Sequence, residues 1–281
     1  MSATLKHAAW VLRGNPVTAL AATGATLLVL IAIFAPWLAP HDPILSNVPM
    51  ALQPPSATYW AGTDQLGRDV FSRLLVATRL DLAIAVSAVG ISFAAGAVIG
   101  SFCGYIGGWL DKSVGRLVDV LMAFPLFVLA MAMVAALGNR VENIVIATAF
   151  INLPFYIRFA RAEVNVRRNL GWVEAARSGG ESHMTIVLRY LLPNILPAMA
   201  VQISLNLGWA ILNAAGLSFI GLGVQPPTPE WGIMVAEGAR FITAGQWWLV
   251  AYPGLALMLT VLCFNLLGDG LRDILDPRMR T

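Results

Sequence analysis

Long apolar runs alternate along the chain with shorter polar stretches, and none of the runs shows the residue-by-residue alternation of a half-buried strand. Six runs approach the ~20 apolar residues that a helix needs to cross a hydrocarbon core. They lie near Thr18–Leu38, Leu82–Ile106, Leu117–Leu137, Asn143–Ala160, Asn194–Ala215 and Trp247–Leu267. The pattern predicts an all-α membrane protein with six transmembrane helices. Lipid leaves only helices and closed barrels able to satisfy every backbone N–H and C=O, and these runs are too long and continuous for barrel strands. Pro125 and Pro154 are expected to kink the third and fourth spans. The opening stretch MSATLKHAAWVLRGNP carries no small-residue cleavage site, so the first run reads as a retained helix.

Composition agrees with this reading. Of 281 residues, 58% are hydrophobic and 12% charged, about half the charged fraction of a soluble domain. Cys103 and Cys263 both lie inside apolar runs and read as small core residues rather than a disulfide. Charge position matters more than the net +3. Six spans put both termini on one side, and of the 18 Lys and Arg only Arg68, Arg73, Arg79, Arg140 and Arg240 fall on the other. That asymmetry predicts cytoplasmic termini. Two substantial segments, Ala39–Leu80 and Gly216–Gln246, then face outward. The first includes GTDQLGRDVFSR, whose alternating acids and bases suit either local ion pairs or docking of an external protein. Trp231, Trp247 and Trp248 form an expected aromatic belt.

Within the spans, Gly96, Gly100 and Gly104 recur at four-residue spacing and predict a smooth face for close helix packing. Asn152, Gln202, Ser204, Asn206 and Asn213 are the polar residues singled out there, and Gln202, Asn206 and Asn213 share one helix face. Such amides serve either as interhelical glue or as the wall of a path; the residues leave both open. No buried Asp–Arg pair or His relay is evident in a span, and no internal repeat, which argues against a secondary carrier. No catalytic residue is expected. Only Glu163 and Glu237 stand out as acids for a membrane-embedded enzyme, and both sit near span ends. Ser218 does not fit a nucleophile elbow. The three His lack metal-ligand spacing, so no metal site is expected. A phosphate-binding loop is excluded, because Lys112-Ser113 follows Asp111 where a glycine is required.

One polar stretch interrupts the apolar pattern: EAARSGGESHMTIVLRYLLP, Glu174–Pro193. A short helix should end at Gly179–Gly180, a second should cover about Ser182 to Leu191, and Pro193 should open the fifth span. A two-turn helix is unstable alone in water and must dock. It does so either in a partner's groove, with Ala175 and Ala176 seated and Glu174 and Arg177 at the rim, or as a linker on the lipid headgroups.

Glu174-Ala175-Ala176, Gly180 six residues after the Glu and Pro193 thirteen further on resemble the EAA loop of ABC-importer permeases. GTDQLGRDVFSR, YIGGWLD, FYIRFARAEV, GLGVQPPTPEWG and NLLGDGLRDILDPR extend the likeness over nearly the whole chain, to the C-type permeases of dipeptide, oligopeptide and nickel importers. Asp81 stands where that family often has Ser, and Ser178-Gly179-Gly180 where it often has Ala-Leu-Gly. The resemblance implies a type I importer permease fold in a bacterial inner membrane. Residues 1–80 would form an N-terminal helix with its periplasmic segment, 81–272 the permease core with its loop at about 163–193, and 273–281 a cytoplasmic tail. It implies that Glu174, Ala175, Ala176, Arg177, Gly180 and Pro193 belong to a coupling element, and that Asn152, Gln202, Asn206 and Asn213 are candidates to line the path. The implied partners are a homologous second permease in a heterodimer, two cytoplasmic ATPase subunits that bind ATP and Mg, a solute-binding protein and membrane lipid. No nucleic acid and no cofactor in this chain are implied. The implied cargo is a peptide, with nickel chelates, glutathione or opine-like conjugates as alternatives.

Overall fold

The computed structural model describes residues 14–275. Lys6, Arg13, Arg278 and Arg280, which contribute to the expected charge asymmetry, lie outside the described residues, as do the beginning of the 1–80 segment and the end of the 273–281 tail. Among the described residues the structure is helical, without strands. Helix α1 covers Pro16–Leu38, α2 Val70–Ile106, α3 Gly108–Ala123, α4 Leu126–Leu137 and α5 Val141–Arg167. A short α6 comes next at Gly171–Ser178. Then come α7 at His183–Thr185, a π turn at Ile186–Leu191 and α8 at Leu192–Phe219, joined end to end, and finally α9 at Trp231–Ala239 and α10 at Trp248–Leu275. Five helices are long and apolar enough to cross a membrane. The bent pair α3–α4 makes six spans if taken as one.

Local chemistry explains most boundaries. The Asn15 side chain accepts from the Val17 and Thr18 amides, and Pro16 occupies the first turn of α1, where its missing N–H is harmless. Asp69 accepts from the Ser72 amide at 2.9 Å and starts α2, twelve residues ahead of the boundary set by apolar residues. The third span differs from its expected form. Rather than one kinked helix, α3 and α4 meet at 90° with Phe124 extended (ψ 145°), as a residue before proline must be. By contrast, α5 runs through Pro154 as one element.

Helix α2 is the centre of the bundle, packing on α5, α1 and α8. The glycine face meets α5 backbone to backbone. A Cβ on Gly96 would strike the Tyr156 Cβ, one on Gly100 the Ile157 carbonyl, and one on Gly104 would lie 2.8 Å from the Arg161 carbonyl. Elsewhere Ser204 donates to the Phe264 carbonyl at 2.6 Å and ties α8 to α10.

On the side opposite α6, the arginines of GTDQLGRDVFSR are paired within the chain. Arg68 and Arg73 are each 1% exposed. Arg68 Nε meets Asp64 at 2.6 Å, and Glu237 on α9 lies 3.5 Å from Arg68 and 3.9 Å from Arg73. Arg73 also donates to the carbonyls of Pro43 (2.9 Å) and Pro227 (3.3 Å). The ion pairs of GTDQLGRDVFSR are therefore partly local and partly a clamp over segments far apart in sequence. The two guanidinium groups are not available to an outside partner.

Helix α9, inside the segment expected as a loop, is held by a second buried group. Glu230 accepts from the Gly232 and Ile233 amides at 2.9 and 2.7 Å, and Asp81 on α2 accepts from the Trp231 amide at 3.1 Å. Burial pushes the Glu230 carboxyl above its usual range.

Two outcomes are expected. Gly100→Leu should separate α2 from α5 and destabilise the bundle by about 1–3 kcal/mol or more. Gly90→Ala, which meets nothing within 4 Å, should be nearly neutral; thermal unfolding in detergent compares them. A carboxyl with a raised folded-state pKa stabilises below its unfolded value and loses that contribution as pH rises through the folded one. The melting temperature should therefore fall as pH rises through the raised Glu230 pKa, and less steeply in Glu230→Gln, whose amide does not titrate.

Candidate functional site

The six-residue interval from Glu174 to Gly180 folds as a capped peg. Helix α6 buries only Val173 and leaves Glu174, Ala175 and Arg177 exposed, with Ala176 half-buried against the bundle. Its end is closed rather than frayed. Gly180, at φ 82°, donates to the Arg177 carbonyl at 3.1 Å and Glu181 to the Ala176 carbonyl at 3.2 Å, the two bonds of a Schellman cap. The Gly179-Gly180 pair is thus what ends α6.

Beyond Gly180 the chain departs from the expected helix, break and new span. Ser182 caps α7 by accepting from the Thr185 amide at 3.1 Å, and the chain then stays helical from His183 to Phe219. Pro193 lies within this rod, not at its start. A proline there would clash with the carbonyl four residues back, and the widened π turn at Ile186–Leu191 directly before it makes room. Ile186, Val187 and Leu191 are fully buried, so the rod is anchored in the core just beyond the peg.

A cavity of about 400 Å³ opens between α3, α5 and α8, lined by Met122, Phe155, Tyr156, Arg158, Phe159, Gln202 and Asn206. Gln202 and Asn206 thus share one wall. Asn152 and Asn213 do not line it; both are buried, and neither Asn152 side-chain atom nor the Asn213 Oδ1 has a hydrogen-bond partner among the described residues. Arg158 meets Asp119 of α3 at 2.6 Å, with both side chains half exposed. Nearer the α6 end of the same two helices Arg161 meets Asp111.

Sequence reasoning missed these cross-helix pairs, because α3 reads as loop and apolar run rather than as one helix with Asp111 and Asp119 on it. It also missed the buried acids Asp81 and Glu230, weighing Glu163 and Glu237 instead. Glu163 pairs with Arg167 one turn away at 2.5 Å, and Glu237 belongs to the arginine clamp. A lone Asp inside an apolar run was the available signal.

A membrane bundle with an exposed, capped peg rigidly joined to one span, and an open cavity beside that span, is the arrangement of a transport subunit. The chain belongs to the family of binding-protein-dependent transport system inner membrane components, which matches residues 96–281. Residues 4–55 match the N-terminal membrane domain of oligopeptide transport permease C. A probable D,D-dipeptide transport system permease protein of Escherichia coli is 44% identical over 96% of this chain and 90% of its own length. The dipeptide transport system permease protein of Alkalihalophilus pseudofirmus is 43% identical over 91% and 84%. A glutathione transport system permease protein of Escherichia coli is 44% identical over 92% and 86%. The fold also matches a solved inward-facing MetNI methionine ABC transporter chain, at a TM-score of 0.58 and 18% identity, covering 72% of this chain and 96% of that one. The protein is therefore a multi-pass inner-membrane permease subunit of the ABC importer fold.

Because Gly180 adopts a left-handed conformation with open space around its Cα, Gly180→Ala should cost about 1 kcal/mol through backbone strain alone. Faster amide hydrogen exchange at residues 180 and 181, with an unchanged bundle, is the expected readout.

Proposed function

We propose that this chain forms, with a homologous second permease, the translocation path for di- and oligopeptides, driven by two ATPase subunits, one of which docks on α6. The observation that carries this reading is the exposed Glu174-Ala175 face of a helix that this chain leaves uncovered. The side bearing α6, with both termini, is then cytoplasmic, in line with the distribution of Lys and Arg. ATP and Mg belong to the partner subunits, since no phosphate loop occurs here and this chain contributes no catalytic step. A periplasmic solute-binding protein delivers the cargo to the opposite face.

Closure of the ATPases moves the peg, and the helical rod carries the displacement along α8, one wall of the cavity. The path thus alternates between two arrangements biased from a distant site. Peptide cargo is supported by the relatives' names and by the cavity wall, where the amides of Gln202 and Asn206 suit the backbone groups of a peptide. Glutathione, itself a tripeptide, is a second reading, favoured by the glutathione permease relative.

The test uses the assembled transporter in proteoliposomes. Ala175→Arg is the sharper variant, since Ala175 is exposed whereas Ala176 packs on the bundle. An unpaired guanidinium in a docking cleft costs well over ~1.4 kcal/mol, so binding-protein-stimulated ATPase activity and peptide uptake should fall at least about tenfold. Gly180→Pro should do the same, since φ 82° is closed to proline. Thermal unfolding of the permease should stay unchanged for Ala175→Arg. Normal uptake by a stably inserted Ala175→Arg protein would overturn the proposal.

A further inference from the structure

Beside the peg lies a second cleft, of about 450 Å³, lined by Tyr105, Ile106, Arg168, Asn169, Arg177 and His183. It sits where α2 and α5 end and α6 begins. Tyr105 is its post: the Arg177 guanidinium lies 5.6 Å from the Tyr105 ring centroid, and His183 Nδ1 is 3.3 Å from the Tyr105 hydroxyl. Arg168 is fixed from the other side, donating to the Gly104 carbonyl at 3.0 Å, in the last turn of α2. Three basic side chains from three segments are thus held around one opening.

Nearby arginines are neutralised. Arg158, Arg161 and Arg167 each have a carboxylate, which uses Asp119, Asp111 and Glu163. Among the described residues, Arg168, Arg177 and His183 have no carboxylate within 4.0 Å. The cleft is a preorganised cationic site whose anion is not supplied by its neighbours.

We infer that this cleft binds the phosphate of an anionic phospholipid headgroup and so bridges the membrane end of α2 to the coupling peg. A lipid is favoured over an acidic protein side chain by what surrounds the opening. Ile106, 51% exposed, forms part of the wall, and Trp109, 81% exposed, follows three residues on at the start of α3. An exposed indole beside the end of a membrane helix belongs at headgroup level. Basic pockets between spans on the cytoplasmic face are where anionic headgroups dock. The inference rests on the orientation proposed above, but not on peptide cargo. It predicts that lipid charge stiffens the seat of α6 and thereby tunes coupling.

The assembled transporter is placed in nanodiscs of phosphatidylcholine with or without phosphatidylglycerol, and native mass spectrometry then counts the lipids retained on this chain. Wild type should keep phosphatidylglycerol. Arg168→Gln should lower its retention roughly fivefold, the worth of one cation at an anionic leaflet. Arg168→Lys should restore most of it. His183→Gln, which leaves the Arg168 contact to Gly104 intact, should lower retention by less than Arg168→Gln, because it removes only the ring nitrogen beside the Tyr105 hydroxyl. Equal retention in wild type, Arg168→Gln and His183→Gln would overturn the inference. So would inorganic phosphate, in phosphatidylcholine alone, raising thermal stability as much as phosphatidylglycerol does, since the site would then serve a free anion. Cross-linking of Arg168 and His183 positions to an ATPase subunit, with no lipid retained, would assign the cleft to that partner instead. Peptide uptake and ATPase activity are read separately, so loss of the lipid effect with transport intact sinks only this inference.

Discussion

From His183 to Phe219 the backbone is helical without a break, and the only irregularity is a wider turn that makes room for Pro193. This continuity is the constraint on which the rest depends. A peg that ended in a flexible loop would absorb displacement instead of passing it on. Here the Schellman cap fixes the end of α6, Ser182 restarts the helix three residues later, and fully buried Ile186, Val187 and Leu191 pin the rod to the core. Stiffness is supplied by backbone hydrogen bonds and packing, with side-chain chemistry confined to the tip.

The rest of the bundle handles charge so that the rod has something rigid to move against. Glycines let α2 and α5 approach until their backbones touch, so these two helices behave as one block. At the far end, Asp64, Arg68, Arg73 and Glu237 join the two long connecting segments and α9 into a cap. Buried charges of this kind add little net stability, because desolvation offsets attraction, but removing one partner is costly. Their use here is register: Arg73 can reach Pro43, Pro227 and Glu237 together only when three segments far apart in sequence are correctly placed.

Helix α3 behaves differently. It buries only Val118 in this chain and leaves Leu117, Val120 and Phe124 open, while its acids are tethered to α5 by ion pairs. A membrane helix held by two polar tethers, with apolar side chains uncovered, is suited to shifting against its own bundle. Its position places that freedom at the wall of the cavity lined by Met122, Gln202 and Asn206.

Spacing and composition alone were enough to place the apolar spans, the smooth glycine face and the EAA interval, because each is a local property that lipid and backbone hydrogen bonding enforce. They also determined that Gly180 ends the peg, since left-handed geometry selects glycine. Tertiary structure alone decided that α2 begins at Val70, because Arg73 and Asp81 look like loop residues until distant groups neutralise them. It decided that Gln202 and Asn206 face an open cavity while Asn152 and Asn213 do not: four-residue spacing defines a helix face, but not what lies opposite it. It decided which arginines are paired and which are left facing the second cleft. Pairing across helices depends on distances between segments remote in sequence, and no periodicity along one segment carries that information.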